Sequence, residues 1–309
     1  MSFNDTDCTV YCNSNYVPST RLEKSPSGLD TSEVKGLAAV NTAASIVGAV
    51  GNLLVCFVVT KFRFLGRPKA ELFIASLAVA DLLVCAFAQP MYVLFLYDLL
   101  PTQLNMIRTA VTWISTLVSV SHLFTISVER FLSLYFLHRH SFFIRDHTIW
   151  KSIVFTWLIA VSFGAPASTL RKARHIAQYY VIAVLLIMPV LYAGLFYIVR
   201  LQQQRIRKQI PAKKLSNSQK SFTKERRTLH KIAVVVGAFY VCITPLIVLP
   251  FFFSVGASPA VVKNAKRAFP WVNTVALCNS SLNPYVYYWR SWQFRLVIDK
   301  ILRRIIEKK

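Results

Sequence analysis

The chain has 309 residues, 55% of them hydrophobic and only 16% charged, with a formal net charge of +23. Soluble globular proteins carry about a quarter charged residues, so this much apolar surface excludes an ordinary soluble domain. In a soluble chain such a basic balance would read as nucleic-acid binding. Here the distribution of the charges excludes that reading and gives them another origin.

Residues 1–35 are polar, rich in Ser, Asn and Asp, and contain Pro18 and Pro26, which reads as a disordered tail. No apolar core of a cleavable signal peptide precedes the first long apolar run, so that run would act as its own insertion signal. Asn4-Asp5-Thr6 forms an N-glycosylation acceptor in this tail, whereas the matching triplet Asn279-Ser280-Ser281 falls inside an apolar run. Apolar runs recur at about 36–60, 70–96, 107–137, 148–170, 177–199, 232–255 and 268–288. Each can cross a hydrocarbon layer ~30 Å thick, which takes ~20 helical residues. In lipid the backbone must satisfy its own hydrogen bonds, so the runs read as helices. The expected fold is an all-α membrane protein. A seven-transmembrane helix bundle at 36–288 lies between the extracellular tail 1–35 and a cytoplasmic segment 289–309.

Lysine and arginine positions orient the bundle. Segments 61–69, 130–151, 200–231 and 290–309 hold 26 of the 36 basic residues, among them Lys61, Arg63, Arg67 and Lys69 after the first run. That side is read as cytoplasmic, which places the N-terminus outside and the chain in the plasma membrane. Six cysteines do not make a disulfide framework: Cys56, Cys85, Cys242 and Cys278 lie in spans as small buried hydrophobes. Cys8 and Cys12 lie outside and either pair with each other or stay free.

Polar groups inside lipid are costly, which makes them informative. Asp81 lies mid-span in Leu77-Ala78-Val79-Ala80-Asp81-Leu82-Leu83. Asn52 lies in the first span; Ser115, Ser119 and His122 in the third; Asn273, Asn279, Ser280, Ser281 and Asn283 in the seventh. Acceptors on four helices point to one shared hydrated cluster able to hold a cation; scattered, unrelated hydrogen bonds are the alternative. The third span ends Ile126-Ser127-Val128-Glu129-Arg130-Phe131, and Glu225 opens the approach to the sixth. Arg130 and Glu225 either form a breakable latch or are two ordinary interfacial charges.

These residues together resemble the rhodopsin-like (class A) G-protein-coupled receptors over about 36–300. The signatures run Gly51-Asn52, Leu77 to Leu82, Glu129-Arg130-Phe131, Trp157, Pro189 with Tyr197, Phe239 with Cys242-Ile243-Thr244-Pro245, and Asn283-Pro284-Tyr285-Val286-Tyr287 with Phe294. The resemblance implies a receptor and not an enzyme, with a heterotrimeric G protein as partner and an extracellular ligand left unnamed. It assigns Asp81, Ser119, Asn279, Ser280 and Asn283 to a structural sodium ion, and no other cofactor. Arg130 becomes the G-protein-contacting arginine, Glu225 its inactive-state partner, and Tyr197 and Tyr287 the tyrosines that approach it in the active state. Val120, Pro189 and Phe239 form the relay core, with Pro245 and Pro284 as kinks.

The chain also departs from the family. Phe131 replaces the usual tyrosine, and Ile243 replaces the tryptophan beneath the ligand. Asn105 stands where most members carry a disulfide cysteine, and the partner loop at about 169–175 has none. Melanocortin receptors and some lipid receptors share that lack, but Pro189 and Asn283-Pro284 fit the melanocortin pattern poorly. No subfamily is assigned.

Segment 200–231 carries eleven basic residues against Glu225 alone, which reads as a solvated loop, an attraction to anionic inner-leaflet lipids, or both together. Phe294, Val297, Ile298, Ile301, Leu302, Ile305 and Ile306 recur at helical spacing and read as an amphipathic eighth helix on the membrane surface. For the ligand, Thr112 stands where amine receptors carry an aspartate, and no lysine lies in 268–288 for a retinal linkage. The outer mouth carries Arg108, Arg171, Lys172, Arg174, Lys263, Lys266 and Arg267, so a peptide, lipid or small acid is favoured over an amine. The expected pocket is Arg108, Thr112, Ile243 and Asn273, with Arg108 either an anion anchor or a snorkelling cation. A non-signalling receptor, and more remotely a transporter, are the rival readings.

Overall fold

In the computed structural model, residues 29–63, 71–135, 146–209, 236–253 and 258–290 are described, with positions 295 and 303. Asn4, Cys8, Cys12, Glu225 and most of the expected eighth helix lie outside the described residues, as does the side chain of Tyr287. Helix α1 spans Thr31–Arg63, and α2 joins Glu71–Leu83, a π turn at Val84–Ala88 and Gln89–Leu96. Then come α3 (Thr102–Tyr135) and α4 (Asp146–Gly164), which is followed by a 3₁₀ turn at Pro166–Ser168. Helix α5 covers Arg171–Gln209, α6 covers Val236–Val248 and runs into a 3₁₀ turn at Leu249–Phe253, and α7 covers Pro259–Arg290. Among the described residues all regular structure is helical.

Five of these helices are long and apolar enough to cross a membrane, and α6 is a shorter apolar one. Helix α7 falls below that hydropathy because it carries Asn273, Asn279, Ser280, Ser281 and Asn283, all buried. Helix α1 shows the arrangement best. Leu37, Asn41, Ser45, Gly48, Asn52, Val55 and Val59 form a buried stripe at three- and four-residue spacing, while Ile46, Val50, Leu53 and Phe57 face outward. Polar groups thus point into the bundle and large apolar ones out, the inverse of a soluble helix.

Helix ends follow local chemistry. The first apolar run begins at about 36, and helix α1 begins five residues earlier, at Thr31. Glu33 at the third helical position accepts from the Asp30 backbone N–H at 2.9 Å, half of a capping box. Leu29 before the cap and Val34 after it are buried in one cluster, a hydrophobic staple. The same comparison moves α7 from 268 to Pro259 and extends α5 from 199 to Gln209, inside the segment read as loop. At the C-terminal end of α2, Asp98 takes a left-handed φ of 57°. Its N–H bonds the Phe95 carbonyl at 3.1 Å and the Leu99 N–H the Leu94 carbonyl at 2.9 Å, a Schellman ending.

Prolines decide how the helices join. Proline lacks an N–H and leaves the carbonyl four residues earlier without its helical partner. In α7, Pro284 frees the Ser280 carbonyl, and Asn52 of α1 donates to it at 3.1 Å while also donating to Gly48 O at 2.9 Å. In α5, Pro189 frees the Leu185 carbonyl, which accepts the Tyr240 hydroxyl of α6. In α2 the π turn directly precedes Pro90 and encloses Ala86, whose carbonyl the ring would strike in a regular helix. Helices α1 and α7 also touch closely: a Cβ on Gly51 would lie 2.8 Å from Pro284 Cβ, and one on Gly48 2.5 Å from Cys85 Sγ and 2.7 Å from Ser281 Oγ.

Candidate functional site

Asp81 of α2 has no exposed surface. Asn283 of α7 donates to its Oδ2 at 2.7 Å, and Ser280 lies in hydrogen-bonding reach. Asp81 Oδ1 has no partner among the described residues. Ser119, Asn279, Ser280 and Asn283 are buried as well.

A narrow cavity of about 30 Å³ lies between α2, α3, α6 and α7. Ser119, Asn279 and Ser280 form its lower end; Thr112, Ser115 and Thr116 form the α3 wall, and Phe239, Ile243 and Asn273 face them. Thr112 and Thr116 each donate to a carbonyl one turn back, Arg108 O and Thr112 O, both at 2.8 Å. Three of the four expected pocket residues, Thr112, Ile243 and Asn273, therefore line one space.

Arg108 does not line it. Its Nε and Nη2 donate to Asn105 Oδ1 at 3.0 and 2.8 Å, and its guanidinium lies over the Tyr92 and Phe95 rings at 5.4 and 5.0 Å. Tyr92 in turn donates from its hydroxyl to Pro270 O at 3.2 Å. Where the sequence suggested an anion anchor, the structure holds a brace from α3 through α2 to α7, beside the Asn105 that replaces the disulfide cysteine. A delocalised, weakly hydrated guanidinium suits such stacking.

At the opposite end, Glu129 Oε2 lies 3.2 Å from Arg130 Nε, with the Arg130 side chain 29% exposed. Phe131 packs toward α5, where a Cβ on Gly194 would meet its ring at 3.1 Å, and stacks with Tyr135. Tyr197 faces outward on α5 and is 64% exposed. Val120 and Phe239 share the main core cluster, whereas Pro189 and Pro245 are exposed on their helices and act through the backbone.

The 7 transmembrane receptor (rhodopsin family) profile matches residues 51–179 and 175–287. The chain belongs to the rhodopsin family of seven-transmembrane receptors. Its members are receptors rather than enzymes, and the chain is a multi-pass membrane protein. Growth hormone secretagogue receptor type 1 of Sus scrofa is 24% identical over 297 residues, covering 86% of this chain and 80% of that protein. Melanocortin receptor 3 of Rattus norvegicus is 25% identical over 273 residues, covering 84% and 83%. The D(5)-like dopamine receptor of Takifugu rubripes is 27% identical over 338 residues, covering 92% and 70%. These relatives have names from different ligand classes at similar identity, so similarity alone assigns this receptor no ligand.

The receptor's intramembrane polar residues, expected either in one shared cluster or in scattered hydrogen bonds, form more than one group among the described residues. His122 leaves the Asp81 group and bonds Ser76 Oγ at 2.7 Å, which also accepts Trp157 Nε1 at 2.9 Å, tying α2, α3 and α4. Asn41 donates to Thr274 Oγ1 at 2.9 Å and Ser45 to Cys85 O at 2.6 Å, forming a second seam from α1 to α2 and α7. Ser76, Asn41, Ser45 and Gln89 carry no motif, and only their polarity inside apolar runs signalled them.

Proposed function

We propose that this receptor sits in the plasma membrane with its N-terminus outside and couples an extracellular ligand to a heterotrimeric G protein. The observation that carries the proposal is Arg130. It is a partly buried cation at the cytoplasmic mouth of the bundle, held by its own neighbour Glu129 at 3.2 Å and so available for exchange to another partner. The basic residues concentrated on that same side support the orientation. A sodium ion at Asp81, Ser119, Asn279, Ser280 and Asn283 belongs to the proposal; it would supply a positive charge beside the buried carboxylate. Membrane lipids are the further partner proposed for the basic segment and the amphipathic stretch after α7.

The test is GTP exchange on G proteins in membranes carrying the chain. Exchange above mock membranes, reduced at least tenfold by Arg130→Ala at equal surface expression, is expected. Exchange no higher than mock for the intact chain would favour a non-signalling receptor on the same fold. Ile243 motivates that second reading, since it is buried at the cavity where the family carries a tryptophan.

A further inference from the structure

We propose that the Tyr240 hydroxyl is a latch holding α6 against α5, and that its release sets how strongly this receptor signals without ligand. The proposal rests on the receptor reading above and names a regulation of its bundle. Pro189 has no N–H, so the Leu185 carbonyl one turn earlier lacks a partner inside α5. It accepts the Tyr240 hydroxyl of α6 instead. Leu185 is buried, and Tyr240 packs against the same core cluster. Among the described residues this is the one side-chain hydrogen bond from α6 to another helix. The remaining core contact of α6 is hydrocarbon: Val236, Phe239 and Ile243 are buried in that cluster, and Ile247 lies against it. Apolar burial is non-directional and lets a helix turn or slide. A hydroxyl bound to one particular carbonyl does not.

A second tyrosine continues the linkage to α3. Ser127 Oγ donates its only proton to Leu123 O at 2.7 Å. In the 3.1 Å contact between the Ser127 and Tyr192 hydroxyls, Tyr192 is therefore the donor. Tyr192 ties α5 to α3, and Tyr240 ties α6 to α5. Ser127 has no exposed surface and stands three residues before Arg130, about one helical turn. The linkage thus begins on α3 beside the cation that carries the signalling proposal and ends on α6.

Separating α6 from α5 breaks the bond and leaves the Leu185 carbonyl bare in an apolar bundle, because Pro189 has no N–H to return to it. The net worth of one such hydrogen bond corresponds to about a two- to tenfold shift in a two-state equilibrium. Without the hydroxyl the carbonyl lacks this partner in both arrangements. Only the arrangement in which Tyr240 meets Leu185 then loses stability, and the balance moves toward the other.

The experiment removes one oxygen and keeps the ring. In the full chain, Tyr240→Phe is expected to raise ligand-free GTP exchange about two- to tenfold at equal surface expression. In the purified full chain it should speed amide deuterium exchange across Val236–Val248 and leave Glu71–Leu83 unchanged. Tyr240→4-aminophenylalanine, which keeps a donor on the ring, should return both readouts to wild type. Unchanged deuterium exchange across α6 in Tyr240→Phe would overturn the latch. Faster deuterium exchange with GTP exchange at or below wild type would overturn its part in signalling. Failure of the amino variant to restore either readout would assign the effect to ring packing and overturn the hydrogen bond as its cause. Deuterium exchange needs no G protein. If the intact chain drives no GTP exchange above mock, the receptor reading fails, and deuterium exchange alone still decides the latch.

Discussion

At the scale of single residues, the informative positions are polar side chains whose partners lie on other helices. Asp81 is the clearest: one carboxylate oxygen accepts from Asn283 at 2.7 Å and the other has no partner among the described residues. If sodium satisfies that oxygen, it stabilises the folded receptor by mass action, about 1.4 kcal/mol at ten times its dissociation constant. Thermal unfolding of the purified chain in sodium chloride against choline chloride should therefore show a higher transition in sodium. Asp81→Asn should abolish that difference, and an unchanged difference would remove the ion from this site. The need for a polar partner at Asp81 was legible from its sequence, because lipid tolerates no lone carboxylate. The direction of Arg108 was not, since an arginine at a helix end can face a ligand, water or an aromatic wall, and only the placement of Tyr92 and Phe95 decides.

Helix by helix, boundaries and contacts follow from caps, glycines and prolines. Asp98 holds a left-handed conformation that glycine adopts without the Cβ penalty. Asp98→Gly should raise stability by up to about 1 kcal/mol, seen as a higher unfolding temperature; a decrease would mean that the carboxylate itself holds the turn. Gly48 makes the opposite case. A methyl there would strike Cys85 Sγ at 2.5 Å and the Ser281 backbone at 2.9 Å, with no flexible end to yield at the latter. Gly48→Ala should cost about 1–3 kcal/mol by overpacking, measured by the same unfolding assay. A neutral effect would show that α1 and α7 can separate at this point. Proline positions were readable from sequence as kinks; that Asn52 and Tyr240 take up the freed carbonyls of Ser280 and Leu185 was not, because those donors lie on helices distant in the chain.

For the whole molecule, function requires two arrangements of the bundle with different partners for the same groups. Signalling needs an agonist that binds one arrangement more tightly, since equal affinity shifts nothing. The Glu129–Arg130 pair and the Tyr240 bond from α6 to α5 belong to the arrangement described here. If Glu225 also restrains Arg130, Glu225→Ala should raise basal GTP exchange severalfold at equal surface expression. Exchange at or below wild type would leave Glu129 as the sufficient partner.

The sequence by itself determined seven apolar runs, the asymmetry of basic residues between their ends, the family signatures and the polar positions that lipid would not leave unsatisfied. Each of these depends on composition and spacing along one helix, which the chain carries locally. Tertiary structure alone decided which polar residue meets which. It sent His122 to Ser76 and Trp157, Asn52 to the Ser280 carbonyl, and Arg108 to Asn105 and two aromatic rings. It also placed Ser115, without a hydrogen-bond partner among the described residues, on a wall of the cavity. Those pairings depend on the rotation and separation of helices, which no single helix encodes.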